Sequence, residues 1–229
     1  MSAFYSFVYP DRVCLLTDGG FFDEEGILRL VASKVFAVPG KPMAITGRGS
    51  PSEKVFAVIN DLATCLSQAP SVDRAMDEAK LFFRTLAAGG LYDAEFLIAA
   101  YCETSGPSHF FVQCHGHWDI PSFELVSPGV QICGGPEISI NDLAHLNLSD
   151  EELLSPDFPA AYGMEVMSAM RRKRGSIPGT SRAFYGVAGT VDLTTITEAG
   201  TQIVTLAAWE DEIGKAVDPS SDVSAGSRS

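Results

Sequence analysis

Basic residues are scarce in this chain: 16 lysines and arginines stand against 29 aspartates and glutamates, for a net charge of −13 over 229 residues. A surface of that sign repels a phosphate backbone, so no nucleic-acid partner is expected. Paired cysteines are lacking as well. The five cysteines (14, 65, 102, 114 and 133) sit in apolar contexts with no CxxC spacing, which predicts reduced core thiols and a cytoplasmic location. No apolar run approaches the roughly 20 residues that a spanning helix needs, so no membrane association is expected. The apolar start at 4–9 is broken by Pro10, Asp11 and Arg12 and has no basic leader, so it does not read as a secretory signal. Ligand clusters are thin too. Cys114-His115-Gly116-His117 offers soft ligands, but a closed site takes four and no second cluster accompanies it. A turn with surface histidines is the expected reading, with a metal-binding module as a further alternative. Gly47-Arg48-Gly49 has no following Lys-Ser/Thr and is no phosphate loop. Neither metal nor cofactor is predicted.

What is present suits a globular core: 46% of the residues are hydrophobic and 20% charged. Strands are predicted at 4–9 and 13–17, a loop at 23–26, and short strands at 34–38 and 43–46 around Pro39-Gly40-Lys41-Pro42. Ser50-Pro51-Ser52-Glu53 carries the signals of a helix start, and Val55, Ile59, Leu62 and Leu66 then share one face to about residue 68. Ser71 caps a second helix that Gly89-Gly90 ends. Strands follow at 95–102, 110–114, 118–125 and 130–133, and Ser149 with Glu152 marks a short helix. After Ser155-Pro156 comes a third principal helix with Met164, Met167 and Met170 as core filling. The basic run Arg171-Arg172-Lys173-Arg174 reads as its C-terminal complement to the helix dipole. A loop at 175–179, a hairpin of 183–197 with 201–208, and a short helix at 209–216 complete the order. Residues 1–217 are therefore read as one domain, and the small polar stretch 218–229 as a disordered tail.

The residues that carry chemistry lie early. Ser2 follows the initiator methionine, and Asp18 and Lys34 follow it at equal intervals of sixteen. A serine exposed by methionine removal has its own α-amine beside its hydroxyl, and an amine that titrates at about 7.7–8.0 can take up the hydroxyl proton. A lysine nearby depresses that amine by charge repulsion, and the aspartate orients the lysine.

Ser2, Asp18 and Lys34, with Arg12-VCLLT-Asp18, Ala32-SKVFAV and Ala44-ITG-Arg48-Gly49 around them, resemble proteasome β subunits and related bacterial N-terminal-nucleophile hydrolases. The resemblance covers about residues 2–210. It implies an α+β, four-layer αββα sandwich of two antiparallel sheets. It implies as well a protease or amide hydrolase acting on a peptide or amide substrate, and a homo-oligomer of ring-like type. It assigns the oxyanion hole to a backbone N–H beside Gly47, with Arg48 or Gly49 as alternatives. The Arg48 guanidinium is in its own right a candidate contact for a substrate carboxylate. Two of the family's supports have no counterpart here. The acid and serine before the glycine pair of the penultimate strand are absent from Arg182-AFYGVAG-Thr190. A Gly-Ser-Gly turn is replaced around Cys133-Gly134-Gly135. These departures keep open a second reading, the same fold used as a non-catalytic assembly or binding subunit.

Overall fold

A computed structural model describes residues 3–50, 52–90, 93–176 and 183–224. Ser2, Pro51 and Arg182 lie outside the described residues. The chain opens with β1 (Phe4–Val8) and β2 (Val13–Asp18), joined through a turn at Pro10-Asp11. A hairpin that local patterning does not announce comes next, β3 (Gly20–Phe22) with β4 (Leu28–Val31). Its turn is made by Asp23, whose Oδ1 accepts the N–H groups of Glu25 and Ile27. The strand expected at 34–38 shrinks to β5 (Phe36–Ala37), so Lys34 precedes it. β6 (Met43–Gly49) is longer than expected and runs through Gly47, Arg48 and Gly49.

Helices α1 (Ser52–Ser67) and α2 (Val72–Ala87) follow the sequence reading closely, and the Ser71 side chain caps α2 by accepting from Arg74 N. Next come β7 (Ala94–Cys102) and β8 (Gly106–Gln113). The strand expected at 118–125 does not form. Pro121 lies in it, and Phe123 adopts a positive φ of 62° that no strand accommodates. The Gln113 side chain serves that loop instead, accepting from Trp118 N and donating to the carbonyls of Trp118 and Ile120. β9 (Gln131–Gly134), a 3₁₀ turn at Ile140–Leu146, α3 (Asp150–Leu154) and α4 (Phe158–Arg171) come next. Ser149 and Glu152 cap α3 reciprocally, as the sequence suggests. Then come β10 (Gly175–Ser176), β11 (Ala183–Phe184), β12 (Thr190–Thr197) and β13 (Gly200–Ala208). β10 replaces the start of the expected loop at 175–179, and residues 177–179 lie outside the described ones. The helix expected at 209–216 is likewise absent, because this stretch pairs with β4. Gly214 N donates to Leu28 O, and Leu28 N donates to Lys215 O. Where a disordered tail was expected, Pro219–Ser224 forms a 3₁₀ turn; residues 225–229 lie outside the described ones.

The result is a mixed α and β chain with several antiparallel sheets. The largest has five strands in the order β13-β12-β2-β1-β9, and another has four in the order β5-β6-β7-β8. Period-two alternation divides the side chains of each between two apolar clusters. From β2, Cys14 and Leu16 pack with Val166, Met167 and Met170 of α4, whereas Val13 and Leu15 turn the other way. From β7, Phe96 and Ile98 pack with Ile59, Leu62 and Phe83 of α1 and α2, whereas Leu97 and Ala99 meet Val13 and Leu15. Each large side chain fully buried this way stabilises the fold by about 1.5–3 kcal/mol. Among the described residues no helix is long and apolar enough to cross a membrane.

Candidate functional site

Asp18 closes β2 and is fully buried; Lys34 is 1% exposed, and the two form an ion pair at 2.8 Å. A buried pair holds only if its remaining hydrogen-bonding capacity is met. On the Asp18 side it is met by backbone. Asp18 Oδ1 accepts the N–H of Ala3 at 2.8 Å, and Oδ2 accepts those of Gly20 at 3.0 Å and Ala188 at 3.3 Å. Lys34 Nζ lies 5.1 Å from the Phe21 ring centroid, and the Lys34 carbonyl accepts from the Thr46 hydroxyl at 3.0 Å. Burial draws the Lys34 amine below its ordinary value, and the Asp18 carboxylate opposes that shift. Glycine at 19 and 20 makes the crowding possible. A side chain on Gly19 would strike the Thr190 hydroxyl, and one on Gly20 would stand 2.7 Å from the Ala188 methyl.

The pair therefore grips the residue next to Ser2. Strand β1 also runs beside β9, where Phe4 faces Gly134, and a side chain on Gly135 would stand 3.1 Å from the Ala3 Cα. Gly135 thus packs against Ala3, while Ala188 reaches Asp18 through its N–H.

Gly47, Arg48 and Gly49 lie along β6, next to the Thr46 that binds the Lys34 carbonyl. Tight packing alone accounts for both glycines. A Cβ on Gly47 would stand 2.9 Å from the Glu95 carbonyl, and one on Gly49 would overlap the Asp93 carbonyl. Arg48 has a partner from its own chain. Its Nε and Nη2 reach the two Glu95 carboxylate oxygens at 2.5 and 3.1 Å, across the rung where β6 and β7 place Arg48 opposite Glu95. Glu95 thus engages Nε and Nη2 of Arg48, the residue expected to meet a substrate carboxylate. Glu95 also accepts from His115 Nε2 at 2.9 Å and Trp118 Nε1 at 2.8 Å. Burial alone would raise this carboxyl, but the bonds from His115 and Arg48 prevail and hold it at about 2. This cluster is invisible to local sequence patterning, because its members come from three separate stretches.

In the cysteine–histidine stretch the His115 and His117 rings stack at 4.7 Å, but Cys114 stands apart from them. Cys114 is buried in the apolar cluster beneath α1 and α2, His115 turns to Glu95, and His117 lies 3.5 Å from Asp93. Since His117 N donates to His115 Nδ1, His115 presents its proton on Nε2. Among the described residues no three metal-ligating side chains converge.

A cavity of about 570 Å³ is lined by Phe21, the ring that Lys34 Nζ approaches, with Phe22, Ala32, Ser33, Phe36 and Phe56, and has the Arg29–Asp23 pair at its wall. Such a space accepts an apolar side chain of a ligand. No protein-family model matches the chain, and no curated protein matches its sequence.

Proposed function

We propose that the protein is a proteasome-like N-terminal-nucleophile hydrolase that cleaves peptide or amide bonds through Ser2 after Met1 is removed. The observation that carries this reading is the buried Asp18–Lys34 pair with the Ala3 N–H on Asp18. A charge pair hidden from water adds little stability, but this one holds the residue after Ser2 through the Ala3 N–H. In the reaction the Ser2 hydroxyl attacks the substrate carbonyl as the α-amine takes its proton. The tetrahedral intermediate expels the substrate amine, which receives that proton, and leaves an ester on Ser2. Water, deprotonated by the same α-amine, then releases the acid and restores the serine. Lys34 keeps the α-amine neutral by charge repulsion. Backbone N–H groups near Gly47 are proposed for the oxyanion, and the phenylalanine-lined cavity for an apolar side chain of the substrate.

The finer fold reading, a four-layer αββα sandwich, is part of the proposal. It is supported by the three apolar clusters, which lie between α1/α2 and the four-stranded sheet, between the two large sheets, and between the five-stranded sheet and α4. Self-association in the cytoplasm is proposed with it. β13 is an edge strand without a charged residue, and Ile203 and Val204 on it are exposed. The second reading, a non-catalytic assembly or binding subunit, is favoured by the missing acid and serine before Thr190. An electrophile that captures a hydroxyl and a neighbouring amine separates the two. The hydrolase reading requires a covalent adduct on the wild-type chain that is lost in Ser2→Ala; a wild-type chain that never reacts supports the binding subunit.

A further inference from the structure

The segment Val187–Gly189 reaches Asp18 from the far end of the chain, and it is held from behind. On its inner side Ala188 N–H donates to Asp18, and the Ala188 carbonyl accepts from Gly19 N at 3.1 Å. On its outer side the Val187 carbonyl accepts from Arg171 Nη1 at 2.9 Å. Gly189 N donates to Asp211 Oδ2 at 2.8 Å, and Trp209 N donates to the Gly189 carbonyl at 2.8 Å. Arg171 is the centre of this clamp. It is 2% exposed, lies over the Trp209 ring at 4.8 Å, and meets Asp211 with both terminal nitrogens at 3.0 and 2.8 Å. Asp222, in the turn at Pro219–Ser224, supplies the rest, at 2.6 Å from Nε and 3.2 Å from Nη2. All five donors of the guanidinium are thus committed. The first residue of the basic run is more than a dipole partner.

We propose that Arg171 is a positioning residue for the Asp18–Lys34 pair, acting through Val187–Gly189, and that Asp222 sets how firmly it is held. The catalytic importance of this clamp rests on the hydrolase reading; the coupling itself does not. The physical path has few steps. Without Asp222, Arg171 loses a carboxylate that is 30% exposed and keeps its buried partner Asp211. Its hold on the Val187 carbonyl slackens, the Ala188 N–H withdraws from Asp18, and water gains access to the pair. A carboxylate with one donor fewer attracts Lys34 more strongly, and a better-hydrated ammonium is easier to keep charged. Both changes push the Lys34 amine up, toward its ordinary value. Asp18 is the charged group that meets Lys34, and Phe21 is the ring beside it.

Removing Arg171 would leave Asp211 buried and unpaired, so the test variant is Asp222→Asn in the full chain, with Asp222→Glu as the conservative control. The readout is the titration of the Lys34 side chain by NMR. The coupling requires an upward shift of about 0.5–1 pH unit in Asp222→Asn, with Asp222→Glu restoring most of the wild-type value. An unshifted Lys34 in a folded variant overturns the proposal. Hydrogen exchange of the wild-type chain gives an answer without substitution. Rising salt weakens the partly exposed Asp222 contact first, so the Ala188 amide should exchange faster; an Ala188 amide indifferent to salt also overturns the coupling. A Lys34 shift in a protein that never forms a Ser2 adduct would retain the clamp and reject the hydrolase. A Ser2 adduct with an unmoved Lys34 would do the reverse.

Discussion

Asp18 and Lys34 each need the other. Removing one partner of a buried pair strands a charge in an apolar setting and costs about 3–5 kcal/mol, whereas removing both is far milder. Asp18→Asn and Lys34→Met are therefore each expected to destabilise by about that amount in denaturant unfolding, and the double variant by clearly less than their sum. Additive losses would show that the pair does not act as a unit. The equal spacing of Ser2, Asp18 and Lys34 was legible in the sequence because all three belong to one short stretch. The partner of Arg48 was not, because Glu95 meets it across a strand pairing 47 residues away. Hydrophobic periodicity says which face of a strand is buried, but not which strand lies beside it.

At the scale of the element, sequence pattern and structure agree where signals are local. α1 and α2 carry their start and their apolar stripe in the letters themselves, and α3 carries a reciprocal cap. Pattern and structure part where backbone partners come from afar. The stretch 118–125 has a strand's apolar content but takes its hydrogen bonds from the Gln113 side chain, and 209–216 pairs with Leu28 rather than coiling. The loop's dependence on one side chain has a consequence. Gln113→Leu leaves the Trp118 amide and the Trp118 and Ile120 carbonyls without that partner, so a loss of about 2–3 kcal/mol is expected. Unfolding in urea measures the loss, and faster exchange at the Trp118 amide localises it. An unchanged midpoint would mean that the loop does not rely on Gln113.

At the scale of the molecule, stability should fall in acid through two separate groups. His109 on β8 joins the two large sheets, with Nδ1 2.9 Å from the Ser6 hydroxyl of β1 and Nε2 2.9 Å from the Gly129 carbonyl. Burial draws it below its ordinary value of 6.5, with the Gly129 carbonyl opposing. The folded chain therefore resists protonation that the unfolded chain accepts. Stability is undiminished above pH 6.5 and declines as the pH falls from there toward the lowered folded value. Glu95 follows. Its ordinary value is 4.5 and its folded value about 2. Its contribution of about 3 kcal/mol is thus present above pH 4.5 and is lost as the pH falls toward 2. Unfolding free energies measured from pH 7 to pH 2 should show both declines, and Glu95→Gln should make the lower one shallower without moving the upper one. A curve level between pH 6.5 and 2 would contradict both assignments.

The central claim is that this buried machinery serves a free N-terminal serine. Intact-mass measurement of the purified chain, before and after reaction with the hydroxyl-and-amine-directed electrophile, tests it most directly. The account predicts a chain lighter by Met1 that gains one adduct, and no gain in Ser2→Ala. Met1 retained on essentially every chain would contradict it, because an acylated amine cannot serve as the base.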